Sequence, residues 1–320
     1  MEIFSHNSNI HFLGLRKFSV GLAIALMIAS IAIISIRHLN YGLDFTGGVQ
    51  VQASYTQAVT TGDVHNALEK GGIENSLVQS LGGTKQVLIR FQPKDDTHNP
   101  STGDKVNLDL IASDVGKALQ AARPDAHVDS RSYVSAQVGD ELRSSGVIAA
   151  IFVIIGIGVY LWIRFERRFA IAALATEVHD VLVTLGVIAL VQREFDMTVL
   201  ASVLAVIGYS INDKVVVFDR IRELFRLARK ADPEEILNRS INSTLSRTII
   251  TSLFTAIAMA SLYFFGGPAV HGFAVTMLIG ILVGTLSSIF VASPLLLWLG
   301  VSKKDLMPVT KENPELARRP

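Results

Sequence analysis

Three short stretches place ionisable side chains inside otherwise apolar sequence. Thr176 to Thr184 reads TEVHDVLVT, Ser210 to Phe218 reads SINDKVVVF, and Leu245 to Ser252 reads LSRTIITS. A charged side chain at the middle of a bilayer costs at least about 2.5 to 3.5 kcal/mol on insertion scales, so such residues normally face a protein interior or a water path. A carboxyl group that alternately meets and loses a guanidinium partner takes up and gives back a proton. Asp213 with Arg247 is therefore a candidate proton relay, with Glu177, His179 and Asp180 as further members. A static ion pair that fixes helix packing uses the same residue types, and the residues alone leave both readings open.

These side chains have to be positioned by membrane helices. Half of the 320 residues are apolar, 18% are charged and mean hydropathy is +0.42, which is the balance of a membrane protein with substantial soluble parts. Six apolar runs have spanning length: 18–36, 146–163, 169–191, 197–218, 248–266 and 272–300. The fold class expected is a polytopic α-helical membrane protein with a soluble α+β domain between spans one and two. Arg16 and Lys17 precede the first run and no small-residue cleavage signal follows it, so it reads as an uncleaved anchor.

Basic residues cluster after span two (Arg164, Arg167, Arg168), after span four (Arg220, Arg222, Arg226, Arg229, Lys230) and after span six (Lys303, Lys304). By the positive-inside rule these segments are cytoplasmic. With six crossings, both termini (1–17 and 301–320) then lie inside, the connector 219–247 is a cytoplasmic loop, and the segment 37–142 lies outside, followed by a five-helix domain over 143–300. The chain has no cysteine, so no disulfide or thiolate metal site is expected.

Within 37–142, a strand over 49–55, a helix over 61–72, a hairpin of NSLVQSL and KQVLIRF, a helix over 104–121 and a strand over 126–134 give the order of a ferredoxin-like domain. Its histidines, His65, His98 and His127, lack ligand spacing, and no catalytic constellation is present, so neither an enzyme nor a metal protein is expected. Ahead of the first strand stands GLDFTGG. In it, Gly42, Gly47 and Gly48 allow unusual backbone angles or close approach, Asp44 can satisfy backbone amides, and Phe45 completes the motif, which reads as a rigid exit from the membrane.

Helical spacing refines the candidate relay. Thr176, Asp180 and Thr184 share a face of span three, with Glu177 at its border. Asp213 lies about 7 to 8 Å short of the cytoplasmic end of span four, and Arg247, at a similar depth on span five, is expected to meet it, with Thr251 and Thr255 extending that polar face. Lys214, one residue on, points about 100° away from Asp213 and is expected to snorkel toward the headgroups. In span six, Gly280, Gly284, Ser288 and Ala292 recur every four residues, a small-residue seam for close packing.

The combination of GLDFTGG, HDV in span three, IGYSINDKVVVFDRIRE leaving span four, LSRTIITS entering span five and FGGPAVHGFAVTMLIGILVGTLSSIFVASP through the last two spans is diagnostic. Over nearly its full length the chain resembles the SecD/SecF family of bacterial protein-export membrane proteins, within the resistance-nodulation-division superfamily, and in particular that family's smaller member. The resemblance implies an auxiliary of the Sec translocase in the inner membrane that uses the proton gradient, with no cofactor, for late-stage export. It implies SecD, the SecYEG channel, YajC, a secretory polypeptide and the lipid bilayer as partners, and no nucleic acid. In that family the fourth-span Asp and fifth-span Arg serve proton movement, which carries over to Asp213 and Arg247. Ser or Thr is common where Lys214 stands and Glu177 is atypical, so both add charge beside the relay. A solute or lipid exporter of the same superfamily is the alternative. An intramembrane aspartyl protease using Asp180 and Asp213 is disfavoured by the sequence IGYSIN before Asp213.

Overall fold

The structure, a computed structural model, describes residues 10–73, 76–81, 84–91, 108–228 and 232–302. Residues 93–103 with His98, Arg229 and Lys230, and the tail with Lys303 and Lys304 lie outside them. Among the described residues, six helices are long and apolar enough to cross a membrane: Phe12–Arg37, Gln137–Arg164, Arg167–Val191, Met197–Leu227, Pro233–Phe265 and Ala269–Trp298. The chain divides into two units. One draws on Met1–Leu39, Ala150–Arg193 and Thr198–Pro320, the other on Asn40–Ala149 and Glu194–Met197.

In the helical unit, a short 3-10 turn Phe12–Leu15 leads into α1 (Arg16–Arg37). In the other unit come β1 (Asn40–Tyr41), a single helical turn α2 (Leu43–Thr46), β2 (Gly48–Tyr55), α3 (Thr61–Lys70), β3 (Leu77–Ser80), β4 (Gln86–Phe91), α4 (Leu108–Ala122) and β5 (Ala126–Val134). The long helix α5 (Ala136–Arg164) follows, then α6 (Arg167–Val191), β6 (Glu194–Phe195), α7 (Met197–Leu227) and α8 (Pro233–Phe265). The last apolar segment is α9 (Pro268–Ser287), one wider π-type turn over Ser288–Ala292, and α10 (Ser293–Trp298).

Hydropathy underestimates three of these helices. The segment 219–247, expected as a loop, is helical over 219–227 and again over 233–247. The reason is amphipathicity. Ile221, Leu224 and Phe225 on α7 and Ile236, Leu237, Ile241 and Leu245 on α8 recur at helical spacing and are buried in one apolar cluster with Phe165, Phe169 and Phe218. An average over all residues dilutes that stripe with the arginines on the other face. α5 likewise begins ten residues ahead of its apolar run, in the mostly polar segment 136–145.

Half of the most apolar window is buried in α6, α7 and α9, against 11% in α1, α5 and α8. Two of these inner helices carry the buried ionisable groups: Glu177, His179 and Asp180 on α6, and Asp213 and Lys214 on α7. α1 crosses α6 closely at Ser30, where a Cβ on Gly186 would meet the Ser30 Cβ at 2.4 Å. At the ends of these two helices Arg37 donates to the Leu190 carbonyl at 2.9 Å, and Gln192 Nε2 donates to the carbonyl of His38 at 3.2 Å. Carbonyls that a helix end leaves free are satisfied there by side chains.

In the second unit, β3, β4, β2 and β5 form one antiparallel sheet in that order. Val64 and Leu68 of α3 and Val115 and Leu119 of α4 pack on Val49, Val51, Ala53 and Ile89 of its strands. The Thr60 hydroxyl caps α3 by accepting from the Asp63 amide at 3.2 Å. At the α4–β5 turn, Arg123 grips Asp125 through two hydrogen bonds of 3.0 and 2.9 Å, and Asp125 also accepts from Thr56 at 2.9 Å and from the Gln57 amide at 3.3 Å. These donors, Arg123 foremost, hold the Asp125 carboxyl well below the usual carboxylate range. A carboxyl with a depressed folded-state pKa contributes stability that is present above its unfolded pKa of about 3.9 and is lost as pH falls through the folded value. Hydrogen-exchange protection of β2 and β5 in the full chain should accordingly decline as pH drops below about 4, and Asp125→Asn should flatten that decline. An unchanged acid dependence in the variant would assign it to another group.

Candidate functional site

Lys214 is fully buried on α7. Its ammonium donates to Glu177 Oε2 at 2.7 Å, Asp180 Oδ2 at 2.8 Å and Ser210 Oγ at 2.8 Å. The expectation that this lysine snorkels to the headgroups is therefore overturned. The physical reason lies in spacing: Ser210 and Lys214 are four apart on one face of α7, and Glu177 and Asp180 are three apart on the facing side of α6. Turning inward, the ammonium meets two carboxylates, which is the arrangement a buried charge needs.

Asp180 is the most heavily bonded group of the cluster. Besides Lys214, its Oδ2 accepts from Ser210 Oγ at 2.6 Å and from Ser287 Oγ of α9 at 2.6 Å, while His179 Nδ1 lies 2.9 Å from Oδ1. An ionised carboxylate only accepts, so His179 carries its proton on Nδ1. Thr176 and Thr184 share the buried face with Asp180, but they bond backbone carbonyls of their own helix at 2.8 and 2.7 Å. Ser210 and Ser287 escaped the sequence reading. Ser210 stands four before Lys214, a signal that was available, whereas Ser287 falls beside the seam of α9, and nothing in its local sequence marks it.

Asp213 is placed differently. It is also buried, on α7, yet its Oδ2 has no hydrogen-bond partner. Among the described ion pairs none joins it to Arg247, so the expected contact of carboxylate and guanidinium does not form. The inward face of α8 is carried by Thr248 and Ser252, four apart and both buried, and Arg247 sits one position off it, exposed. Arg247 acts on Asp213 through its charge, and the Ser252 hydroxyl stands near the acid. Ser252 is itself tied to Tyr209 at 3.1 Å and to Thr285 at 2.7 Å. Thr251 and Thr255, expected to extend a polar face, instead bond the carbonyls of Arg247 and Thr251 at 3.0 and 2.8 Å.

Two glycines of α9 lie tightly against α7. A Cβ on Gly280 would meet Val206 Cγ2 at 2.2 Å, and one on Gly284 would meet Ser210 Oγ at 2.8 Å. Ser288 and Ala292 are fully buried. Close approach at Gly280 and Gly284 is what brings Ser287 within reach of Asp180.

The GLDFTGG segment forms its own structure in the second unit. β1 pairs in parallel with β6 through Asn40 with Glu194 and Tyr41 with Phe195. Phe45 stacks on Phe195 at 5.8 Å. Asp44 Oδ2 accepts from the backbone amide of Met197, the first residue of α7, at 2.9 Å, and so serves one of the free donors of a helix start. Gly47 and Gly48 have φ of 67° and 114°, a region in which a side chain is strained, and a Cβ on Gly42 would lie 2.8 Å from Glu194 Oε1. Glu194 is paired in turn with the buried Arg90, whose Nε donates to Gln50 Oε1 at 3.0 Å.

Comparison with known proteins bears on both groups of residues. Residues 114–302 match the family model described as "Protein export membrane protein SecD/SecF, C-terminal", and residues 32–59 match that of the "SecD/SecF GG Motif". The protein translocase subunit SecF of Pseudomonas aeruginosa is 40% identical over 93% of this chain and 94% of its own length. The chain belongs to the SecD/SecF protein-export family. The SecF subunit of Vibrio alginolyticus is 39% identical over 100% of this chain and 99% of its own. Among solved structures, the crystal structure of SecDF from Thermus thermophilus aligns with a TM-score of 0.82 at 30% identity. It covers 92% of this chain, which spans only 39% of that longer protein. Glu177, His179, Asp180, Asp213, Lys214 and Arg247 all fall in the segment matched to the SecD/SecF C-terminal model, and Gly42 to Gly48 fall in the segment matched to its GG motif.

Two outcomes follow from the geometry. Lys214→Thr leaves two buried carboxylates without their cation and should destabilise the full chain by about 3 to 5 kcal/mol. Adding Glu177→Ala should recover part of that loss, because a single carboxylate then remains, still served by Ser210, Ser287 and His179. Additive losses in a double-mutant unfolding series would refute the coupling. Asp44→Ala should cost about 1 kcal/mol, with Asn nearly neutral because its carbonyl oxygen can still accept from Met197. Equal losses for Ala and Asn in thermal unfolding would mean that the charge, not the cap, matters.

Proposed function

We propose that this chain is the six-span accessory subunit of a bacterial Sec translocase which, together with SecD, uses the proton gradient to complete protein export across the inner membrane. The observation that carries the reading is Asp213, a buried carboxyl group with an open oxygen, on an inner helix of a chain of this family. In the proposed cycle Asp213 is the group that binds and releases the proton, and Arg247, held off the direct contact, is the cation that favours release when the helices shift. Asp180, bound by four donors, fixes α6 against α7, with His179 and Glu177 as its immediate neighbours. Each charge that crosses a potential of 100 mV supplies about 2.3 kcal/mol, so one or a few protons suffice to drive a domain movement.

Supporting the partnership with SecD, the family structures at hand are of SecDF, in which this chain corresponds to 39% of the length. The apolar flanks of α1, α5 and α8 leave room for a second helical half. The Thermus protein is described as a translocon-associated membrane protein, which supports SecYEG as the channel served, with YajC as a further neighbour and the secretory polypeptide as cargo. A second SecDF structure, in a super-membrane-facing form, matches with a TM-score of 0.66 at the same 30% identity, against 0.82 for the first, which favours a family that works by changing shape.

We read the second unit as a ferredoxin-like domain outside the cytoplasm. Its sheet order, with a helix after β2 and another after β4, supports the first point, and the even number of spans with arginine-rich connectors supports the second. Both chain ends are then cytoplasmic. In proteoliposomes holding SecD and SecYEG, Asp213→Asn should assemble normally yet lose the part of late-stage secretory-protein release that an imposed proton gradient adds. Arg247→Lys should keep some of it, since a lysine supplies the charge without the planar fork. Full gradient stimulation in Asp213→Asn would remove Asp213 from the cycle.

A further inference from the structure

Asp213 Oδ2 lacks a hydrogen-bond donor although a hydroxyl stands beside the acid, and the count of hydroxyl protons explains why. Tyr209 of α7 donates to Ser252 Oγ of α8 at 3.1 Å, and Ser252 Oγ lies 2.7 Å from Thr285 Oγ1 of α9. Thr285 directs its own proton to the Ile281 carbonyl of its helix at 2.7 Å. A hydroxyl has one proton and two lone pairs. Ser252 therefore donates to Thr285 and has no second proton for Asp213.

Asp213 and Thr285 thus compete for the single proton on Ser252, and charge decides between them. A protonated Asp213 is a weak acceptor, so the bond between α8 and α9 stands. A carboxylate draws a charge-assisted hydrogen bond about twice as strong as one between neutral groups, and a buried one left without donors is costly. The hydroxyl then turns to Asp213, and Thr285 loses its tie to α8. The other ionisable groups around Asp213 do not supply that donor. Arg247 of α8 and Lys214 of α7 act on it by charge, and among the described ion pairs neither joins it. Glu177 and Asp180 of α6 are engaged with Lys214, and His271, the one ionisable residue of α9, sits in the first turn of that helix against the Tyr263 ring.

On its other side α9 is held independently of this choice. Ser287 donates to Asp180 of α6 at 2.6 Å, and Gly284 lies tight against Ser210 of α7. Release of Thr285 therefore loosens α9 from α8 while leaving it fixed to α6 and α7.

We infer that Ser252 transmits the charge of Asp213 to α9: its hydroxyl bonds Thr285 while Asp213 is protonated and turns to Asp213 when the proton leaves. Tyr209 and Thr285 are positioning residues, one occupying a lone pair of Ser252 and the other offering the alternative acceptor. This transmission rests on the reading of Asp213 as the proton-binding group, to which it adds the route from occupancy to helix movement.

The test uses the full chain with SecD and SecYEG in proteoliposomes and has two readouts. One is the infrared band of a protonated carboxyl group that appears on acidification and is missing in Asp213→Asn; the other is secretory-protein release with and without an imposed proton gradient. Ser252→Ala should keep the band and the gradient-independent release but lower the gradient-added part about tenfold or more, the worth of one charge-assisted hydrogen bond. Thr285→Val, which removes the competing acceptor, should do the same, and Ser252→Thr, which restores a hydroxyl, should recover most of the stimulation. Full stimulation in both Ser252→Ala and Thr285→Val, while Asp213→Asn loses it, would overturn the role of Ser252 and leave Asp213 standing. Loss of gradient-independent release in the same proportion would overturn it too, by assigning Ser252 to helix packing alone. Full stimulation in Asp213→Asn would remove Asp213 and this transmission with it.

Discussion

A fully buried ammonium ion must find its anions inside the protein, and that requirement organises the inner helices. Lys214 can be accommodated only if Glu177 and Asp180 face it from α6, which fixes the rotation of both helices about their axes. Ser210, one turn before Lys214, then necessarily points at the same carboxylate, and the glycines of α9 let Ser287 come close enough to join. An error of one residue in any of these helices would turn a polar group about 100° into hydrocarbon. Few apolar contacts impose a register so strictly, because leucines and valines tolerate repacking at modest cost.

The two aspartates of the inner layer are one chemical type in two different environments. Asp180 sits at the centre of four donors from three helices. Asp213, which immediately precedes Lys214 on α7, has a free oxygen and a hydroxyl nearby. A group saturated with donors resists a change of charge, whereas one with an open valence can accept a proton without first breaking a bond. The contrast lies in the count of partners, with no difference in the residues themselves.

The spans, the sheet strands and the identity of the charged residues were legible in the sequence because each rests on a local period: about 20 apolar residues for a crossing, alternation for β2, and fourfold spacing for the α9 seam. The rotation of α8 was not legible. Arg247 and Thr248 are equally consistent with an inward face, and the choice is made by Ser252, Tyr209 and Thr285, which belong to three different helices. Lys214 was misread for a related reason. Its long stem can reach either headgroups or interior, and only the facing helix decides. Asp44 lies at the other extreme, since its capping role was readable as a type but its client, Met197, is 153 residues away.

The wider turn over Ser288–Ala292 sets a rule about chain length. Pro294 has no amide hydrogen, and its ring would collide with the carbonyl four residues earlier in a regular helix; the extra residue in the turn relieves that collision. Deleting one residue there would restore an even helix and leave Leu296 facing its cluster, because the wide turn has already absorbed the extra residue, but the ring of Pro294 would again press on the carbonyl four residues earlier. A deletion one turn later, in regular helix, would instead swing Trp298 by about 100°. Descendants of this sequence can therefore shed a codon in the wide turn only together with the proline, and the two should come and go as a pair.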